Sequence, residues 1–292
     1  MQRFRRIALE AVLISVLALN LSAVAEAGSP TLTTLYTFAG PPTDGSNPYA
    51  GVTIGPKGVL YGTTLWGGAG ACDNCGTAFS LTPPAIAGGV WTESVYTLPD
   101  VGGVRPYAGL TLGPGGVLYG NAFYGGVCNA GAAFQLKPPA SPGGAWAERD
   151  LYSWCGGGPG AYPQASVVIG AGGVLYGTAL DESGTVYSLA PPATEGGDWS
   201  YSVLDASIGC GPSEDAIGPC TGVAIGSGGV LYGTVYWGGT TGGGMVYSLA
   251  PPASSGGSWT QTFLYSFPYL PNGGSDGYRP DTPVVIGAGG VL

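Results

Sequence analysis

The sequence predicts an all-β protein, β-propeller-like, built from four-stranded antiparallel blades in about four and a half repeats with the last one truncated. Three observations carry this expectation. A five-residue motif returns at a nearly fixed period, each period holds four short apolar stretches separated by glycine and proline, and no amphipathic helix appears after residue 27. Composition alone leans the other way, because Gly 57 and Pro 25 together make 82 of 292 residues, a share at which disorder is the usual reading. Against that stand 45% hydrophobic residues with 18 Tyr, 7 Trp and 7 Phe, more than a chain without a core carries.

The first element is an address. Residues 2–6 (QRFRR) are basic, residues 11–19 (AVLISVLAL) are apolar, and Ala25-Glu26-Ala27 fits a small-residue cleavage site. This layout predicts a secretory signal peptide over residues 1–27 and a repeat domain over residues 28–292. Ala23-Val24-Ala25 is an alternative cut, and Arg5-Arg6 is a weak hint of a twin-arginine signal. An uncleaved membrane anchor is the competing reading, disfavoured because the apolar run is well short of the roughly 20 residues a span needs. No other apolar stretch escapes interruption by glycine, proline or a polar residue, so the mature chain has no expected transmembrane span. It keeps 5 basic and 15 acidic residues, a net charge of −10, which argues against nucleic-acid phosphates as partners. The absence of histidine excludes Ser-His-Asp and Cys-His catalysis and His-ligated zinc or haem. The expected location is the exterior or the cell surface, and the expected partner is an extracellular glycan or surface protein.

The repeat then sets the elements in order. G-V-L-Y-G occurs at residues 58–62, 116–120, 173–177 and 229–233, its tyrosines spaced by 58, 57 and 56 residues, and a fifth copy begins at Gly290. Units are drawn at about 31–84, 91–139, 146–192, 199–252 and 259–292, the last incomplete. A first strand starts at Trp91, Trp146, Trp199 and Trp259, with residues 31–38 as the equivalent in unit one. A second is the apolar run AGVTIG (50–55) and its matches AGLTLG, ASVVIG, TGVAIG and TPVVIG; a third is the pentapeptide with its continuation; a fourth is GTAFSL (76–81) and its matches, each closed by Pro-Pro. The Gly-rich tetrapeptides before G-V-L-Y-G supply the positive φ that a tight hairpin needs. Glycine after each tyrosine is expected to admit a neighbouring sheet, and the weakly polar fourth strand is expected to be covered on both faces. Four antiparallel strands in tandem form a propeller blade, although known blade periods are somewhat shorter at ~40–50 residues; a stacked β-solenoid is the structural rival.

LYGTT, WGG, GTxFxL and W-T-x-x-x-x-Y-x-F in this order, with P-Y-A-G-L between units, resemble the GloVer tandem repeat of exported bacterial proteins, over almost all of residues 31–292. The resemblance implies a propeller-like fold and, in the family, varied C-terminal sorting signals after the repeats; it implies no catalytic or binding residue. Two departures stand out. Unit three has Leu180-Asp181-Glu182-Ser183 where WGG is expected, and no sorting signal follows unit five. An incomplete last unit would leave an open ring and a bare sheet edge, so the sequence reads as a fragment.

In up-and-down blades one face gathers the variable loops, and all six cysteines fall there. Cys72, Cys75, Cys128, Cys155, Cys210 and Cys220 read as disulfides in an exported chain. Cys210 and Cys220 share one loop, Cys128 and Cys155 sit in loops of adjacent units, and Cys72-Asp73-Asn74-Cys75 reads as a loop disulfide rather than a redox or zinc half-site. Trp66, Tyr124 and Trp237 are matched aromatics on this face, candidates for stacking on sugars, with packing between blades as the plainer account. The pairs Asp181-Glu182 and Glu214-Asp215 could serve a glycosidase or lyase, which needs two carboxyls about 5–9.5 Å apart. Asp44-Gly45-Ser46-Asn47 offers oxygen ligands to Ca²⁺ without the ordered D-x-D-x-D pattern; otherwise no metal or cofactor is expected. Solvated turns are the plainer reading of these acids. The leading expectation is a non-enzymatic scaffold, with a carbohydrate-active enzyme as the alternative.

Overall fold

The computed structural model describes residues 32–69, 74–99, 104–141, 144–156, 158, 160–180, 184–207, 221–254, 256–269 and 277–292. Tyr36–Leu292 forms one compact unit; of the unit before it, Met1–Leu35, residues 32–35 are described and have no regular secondary structure. The expected signal peptide lies outside the described residues, as do Cys72, Asp181, Glu182, Cys210, Glu214, Asp215 and Cys220.

The fold is all-β, and among the described residues the helices are three-residue 3₁₀ turns. Two-residue strands β1 (Gly45–Ser46) and β4 (Trp66–Gly67) pair with each other. Around them the first sheet runs β2 (Thr53–Ile54), β3 (Leu60–Thr64), β5 (Thr77–Thr82), β6 (Thr92–Thr97). The second is β7 (Thr111–Leu112), β8 (Leu118–Ala122), β9 (Ala132–Lys137), β10 (Ala147–Ser153). The third is β11 (Val168–Ile169), β12 (Leu175–Ala179), β13 (Thr185–Ala190), β14 (Ser200–Asp205). The fourth is β15 (Ala224–Ile225), β16 (Leu231–Val235), β17 (Met245–Ala250), β18 (Thr260–Ser266). Every neighbouring pair is antiparallel. The outermost strand is bulged in the second, third and fourth sheets, at Asp150/Tyr152, opposite Val186/Tyr187 and opposite Val246/Tyr247.

The sheets are offset by one strand from the units drawn at about 31–84, 91–139, 146–192, 199–252 and 259–292. The strand that follows each tryptophan closes the preceding sheet: Thr92–Thr97 pairs with Thr77–Thr82. The cause is local. Pro-Pro ends one strand, but the segment after it is a tight turn closed by Gly89 N–H on the Ile86 carbonyl, repeated at Gly144, Gly197 and Gly257. It is therefore a hairpin and not a linker between sheets. Residues 32–40 form no strand, which corrects the expected first strand at residues 31–38.

The inner hairpins form as the glycines require. Residues 57–58 and 115–116 and their matches all have φ between 59° and 80°, with Lys57 the non-glycine among them. The glycine after each tyrosine has a different purpose from the one expected. A Cβ on Gly62, Gly120, Gly177 or Gly233 would lie 2.4–2.6 Å from the ring or hydroxyl of Phe79, Phe134, Tyr187 or Tyr247. Those aromatics sit directly opposite on the next strand, so the space is filled from within the same sheet.

No sheet of this size encloses a core, and the cores lie between sheets. Ala78 and Leu98 of the first sheet pack with Leu110, Leu118, Phe134 and Leu136 of the second. Leu151 and Trp154 pack with Leu175, Tyr187 and Leu189 of the third, and Val186 of the third with Leu231, Tyr247 and Leu249 of the fourth. The strands read as fourth in the sequence, third in each sheet, are accordingly largely buried on both faces, as expected. The strand-opening tryptophans seal these interfaces: Trp199 meets Tyr119, Trp259 meets Tyr176, and Trp146 meets Tyr96 and donates to Ser94 Oγ at 3.1 Å.

Hydrogen bonds repeat at each interface. The residue after L-Y-G donates its side chain to the first carbonyl of the next inner segment: Thr63 to Ala108 (2.8 Å), Asn121 to Ala165 (2.9 Å), Thr178 to Thr221 (3.0 Å) and Thr234 to Thr282 (2.9 Å). At the outer rim Tyr36 donates to Glu93 and Tyr96 to Glu148 (2.6 Å), while Tyr152 stacks on Tyr201 at 4.8 Å. Burial pushes the Glu93 carboxyl up to about 7 and the Glu148 carboxyl up to about 6; nearby Asp44 and Asp150 add to this, and the tyrosine hydroxyls oppose it.

Cys128 and Cys155 form a disulfide. It does not clip two sheets together, as the expected units implied. Because the sheet ends after β10, the bond ties the β8–β9 loop to the exit of the outermost strand of the same sheet. Cys75 is also disulfide-bonded.

Three outcomes follow from these contacts. Thr63→Val and Thr178→Val each leave a buried carbonyl without its donor and should cost about 1–2 kcal/mol, additively since they serve different interfaces. Exposed Thr262→Val is the control, expected within about 0.5 kcal/mol; urea midpoints read all three. Replacing both Cys128 and Cys155 by serine opens a 27-residue step and should cost about 3 kcal/mol, read as a lower Tm. The glutamates give a pH dependence of defined sign. Their protons are held more tightly in the folded state than at the ordinary glutamate value of 4.5, so their contribution falls as pH rises from there through 6 and 7. Tm should drop across that window, and Glu93→Gln with Glu148→Gln should flatten the drop; Gln261 already occupies the matching place in the fourth sheet, opposite Leu249.

Candidate functional site

The loop face is organised by a dipeptide that recurs between sheets. Asn47, Arg105, Tyr162 and Arg279 each precede a proline and each has φ of 57–61°, a left-handed conformation uncommon outside glycine. Proline disfavours the helical region for the residue before it, and tertiary hydrogen bonds fix the rest. Arg105 N–H donates to the Cys75 carbonyl of the first sheet (2.8 Å), and its carbonyl accepts from Phe123 of the second (3.2 Å). Tyr162 does the same between Ala130 (2.8 Å) and Leu180 (3.1 Å), and Arg279 N–H reaches Gly243 (2.7 Å). The proline ring then lies against the glycine that starts the neighbouring third strand. A Cβ on Gly76, Gly131 or Gly244 would stand 2.5–2.8 Å from Cδ of Pro106, Pro163 or Pro280.

This clasp decides what the matched aromatics do. The Arg105 guanidinium stacks 4.3 Å from the Trp66 ring and 5.3 Å from Tyr124. Arg279 stacks 3.7 Å from Trp237, with Tyr236, Tyr269 and Tyr278 also within 6 Å. In the third repeat Tyr162 takes the arginine's place, 6.0 Å from Tyr124 and 5.3 Å from Phe123. An arginine and a tyrosine can take the same place because each is attracted to an aromatic ring, the guanidinium as a cation over the ring and Tyr162 edge-to-face with Tyr124. Trp66 and Trp237 are thus partly covered from within the chain, and of the three Tyr124 alone lines the cavity described next.

The inner segments of all five repeats line one cavity of about 720 Å³: Ala50-Gly51, Ala108-Gly109, Ala165-Ser166, Thr221-Gly222 and the stretch from Asp281 to Pro283. Their close approach leaves no room for bulk, since a Cβ on Gly109 would stand 2.9 Å from the Gly51 carbonyl oxygen. Thr53 and Thr111 bond the Leu110 and Val167 carbonyls across successive segments, and Ser166 bonds Gly109 at 3.1 Å. The residue after each clasp proline stands at the loop-side end of its segment. These residues are Tyr49, Tyr107, Gln164 and Asp281, all lining the cavity; Cys220 holds the place in the fourth repeat and lies outside the described residues. Tyr49 is 73% exposed. The rim is chemically divided. Tyr49, Tyr107, Phe123 and Tyr124 form an arc of edge-to-face rings with centroids 5.9, 5.2 and 4.7 Å apart, and Gln164 and Asp281 supply the polar side. Among the described residues the lining holds one carboxylate, Asp281, and no basic side chain.

Asp44 is buried, and its carboxylate accepts from the Ala39 and Gly45 N–H groups at 2.6 and 2.5 Å and from the Tyr36 hydroxyl at 3.2 Å. Its oxygens are directed at hydrogen-bond donors. Sequence reasoning missed the rim, although a signal was present: the x-Pro pair before each A-G-type run recurs, while the residue that follows it changes from repeat to repeat.

Among the described residues no helix is long and apolar enough to cross a membrane. No curated protein matches the chain. The Gloeobacter/Verrucomicrobia repeat matches residues 23–189, more than half of the sequence, and those residues contain three of the L-Y-G strands and the interfaces built by the first two; the chain belongs to this repeat family.

Proposed function

We propose that the protein is an exported, β-propeller-like repeat scaffold that binds an extracellular or cell-surface ligand, a glycan in the first instance, at the rim of its cavity. The observation that carries this reading is the convergence of five inner segments on one cavity, with a repeated backbone frame and a varied set of rim side chains. Successive four-stranded sheets packed face to face, inner edges toward a common cavity, are what blades of a propeller require. Export is supported by the basic-apolar-small layout of residues 1–27 and by the disulfide. A two-carboxyl hydrolase needs a second acid across the cavity from Asp281; among the described residues the lining holds none, while the pairs Asp181-Glu182 and Glu214-Asp215 lie outside them.

The full chain expressed with its own N-terminus should be recovered outside the cytoplasm beginning at Gly28, as read by intact mass. Retention inside the cell with residues 1–27 attached would overturn export. On a glycan array the purified protein should bind without consuming its ligand. Turnover abolished by a single Asp or Glu substitution would replace the scaffold with a carbohydrate-active enzyme.

A further inference from the structure

The composition of the rim goes further than the fact of a cavity. Among the described residues anions find no basic side chain in the lining, and the guanidiniums of Arg105 and Arg279 are occupied by aromatic rings, Trp66 and Tyr124 for the first and Trp237 for the second. A cation would need rings turned toward it on several sides. Here Tyr107 meets both Tyr49 and Phe123 at interplanar angles of 84° and 70°, so the rings pack on one another and offer edges as much as faces. What remains is an apolar arc on one side and an amide with a carboxylate on the other. Gln164 both donates and accepts, while Asp281 accepts twice.

Resting on the reading of the rim as the binding surface, we propose that Tyr49, Tyr107, Gln164 and Asp281 form a subsite for one neutral sugar ring. The C–H face of a pyranose lies on the exposed ring of Tyr49, with the perpendicular Tyr107 ring flanking its edge, and its hydroxyls donate to Asp281 and exchange hydrogen bonds with Gln164. The cavity volume of about 720 Å³ lies within the usual range for small-ligand sites, ~300–1,000 Å³. The wall below the rim is backbone and small side chains whose carbonyls at Leu110, Val167 and Gly109 are already bonded. Recognition is therefore concentrated at the rim, and a chain end fits better than the middle of a long polymer.

The test uses the full secreted protein and titration calorimetry with three probes of equal length: a neutral gluco-oligosaccharide, an oligouronate and an oligoglucosamine. Neutral binding should be the strongest, weakened roughly tenfold by Asp281→Asn, through loss of a charge-assisted acceptor, and by a similar factor in Tyr107→Ala. Near-UV circular dichroism checks the fold, and Tyr107→Phe, which keeps the ring, should retain most of the affinity. Stronger binding of uronate or glucosamine that is still sensitive to the rim variants overturns the neutral-sugar assignment and leaves the rim reading standing. Neutral binding indifferent to every rim variant overturns the rim reading itself. Absence of binding by all three probes overturns both.

Discussion

The structure depends on one short hydrogen bond made four times. The side chain after L-Y-G donates to the first carbonyl of the next repeat's inner segment, at 2.8–3.0 Å in each interface. The inner strands are two residues long and make few bonds within their own sheets. Without an external donor the leading carbonyls of the buried Ala108 and Thr221 would be left unpaired away from water, which costs about 1–3 kcal/mol each. Threonine or asparagine at that place satisfies the group and sets the distance between sheets, so a bond that is weak alone determines which surfaces meet. The hydrophobic clusters fill the gaps that these bonds define.

This arrangement separates packing from recognition. The tyrosine and glycine of L-Y-G, the tryptophan that opens the outer strand and the aromatic opposite the glycine recur because each interface needs the same parts. Where a repeated position changes chemistry, its neighbours show why. Arg105, Tyr162 and Arg279 differ yet all pack against aromatic rings; Glu93, Glu148, Tyr201 and Gln261 share one register, and the first three meet a tyrosine from the preceding repeat. The residue after the clasp proline is held by no such demand and is Tyr, Tyr, Gln or Asp among the described repeats.

Much of the fold was legible because strand length, turn glycines and strand-ending prolines are local signals. The phase of the sheets was not. Period alone is indifferent to where a unit begins, and only the hydrogen bond from Gly89 to Ile86 shows that Pro-Pro opens a hairpin. The disulfide pair was readable from the loops, but its role depended on that phase. Trp66 and Trp237 looked like exposed ring faces because nothing in the spacing reveals that Arg105 and Arg279, some 40 residues later in each case, return to cover them. The rim was hidden for a related reason: it consists of single residues from separate repeats, brought together only by the shared left-handed turn.

The bulges in the outer strands have a consequence for behaviour in solution. Only 9% of the residues are charged, so mutual repulsion gives the surface limited protection against sticking edge to edge. Each sheet has two edges. The inner one is two residues long and turned toward the cavity, while the outer one is broken in three of four sheets by an extra residue that twists it out of register with any straight partner. Resistance to unwanted strand pairing is thus built into the backbone path, and a chain with so little charge can present many sheet edges while remaining a discrete particle.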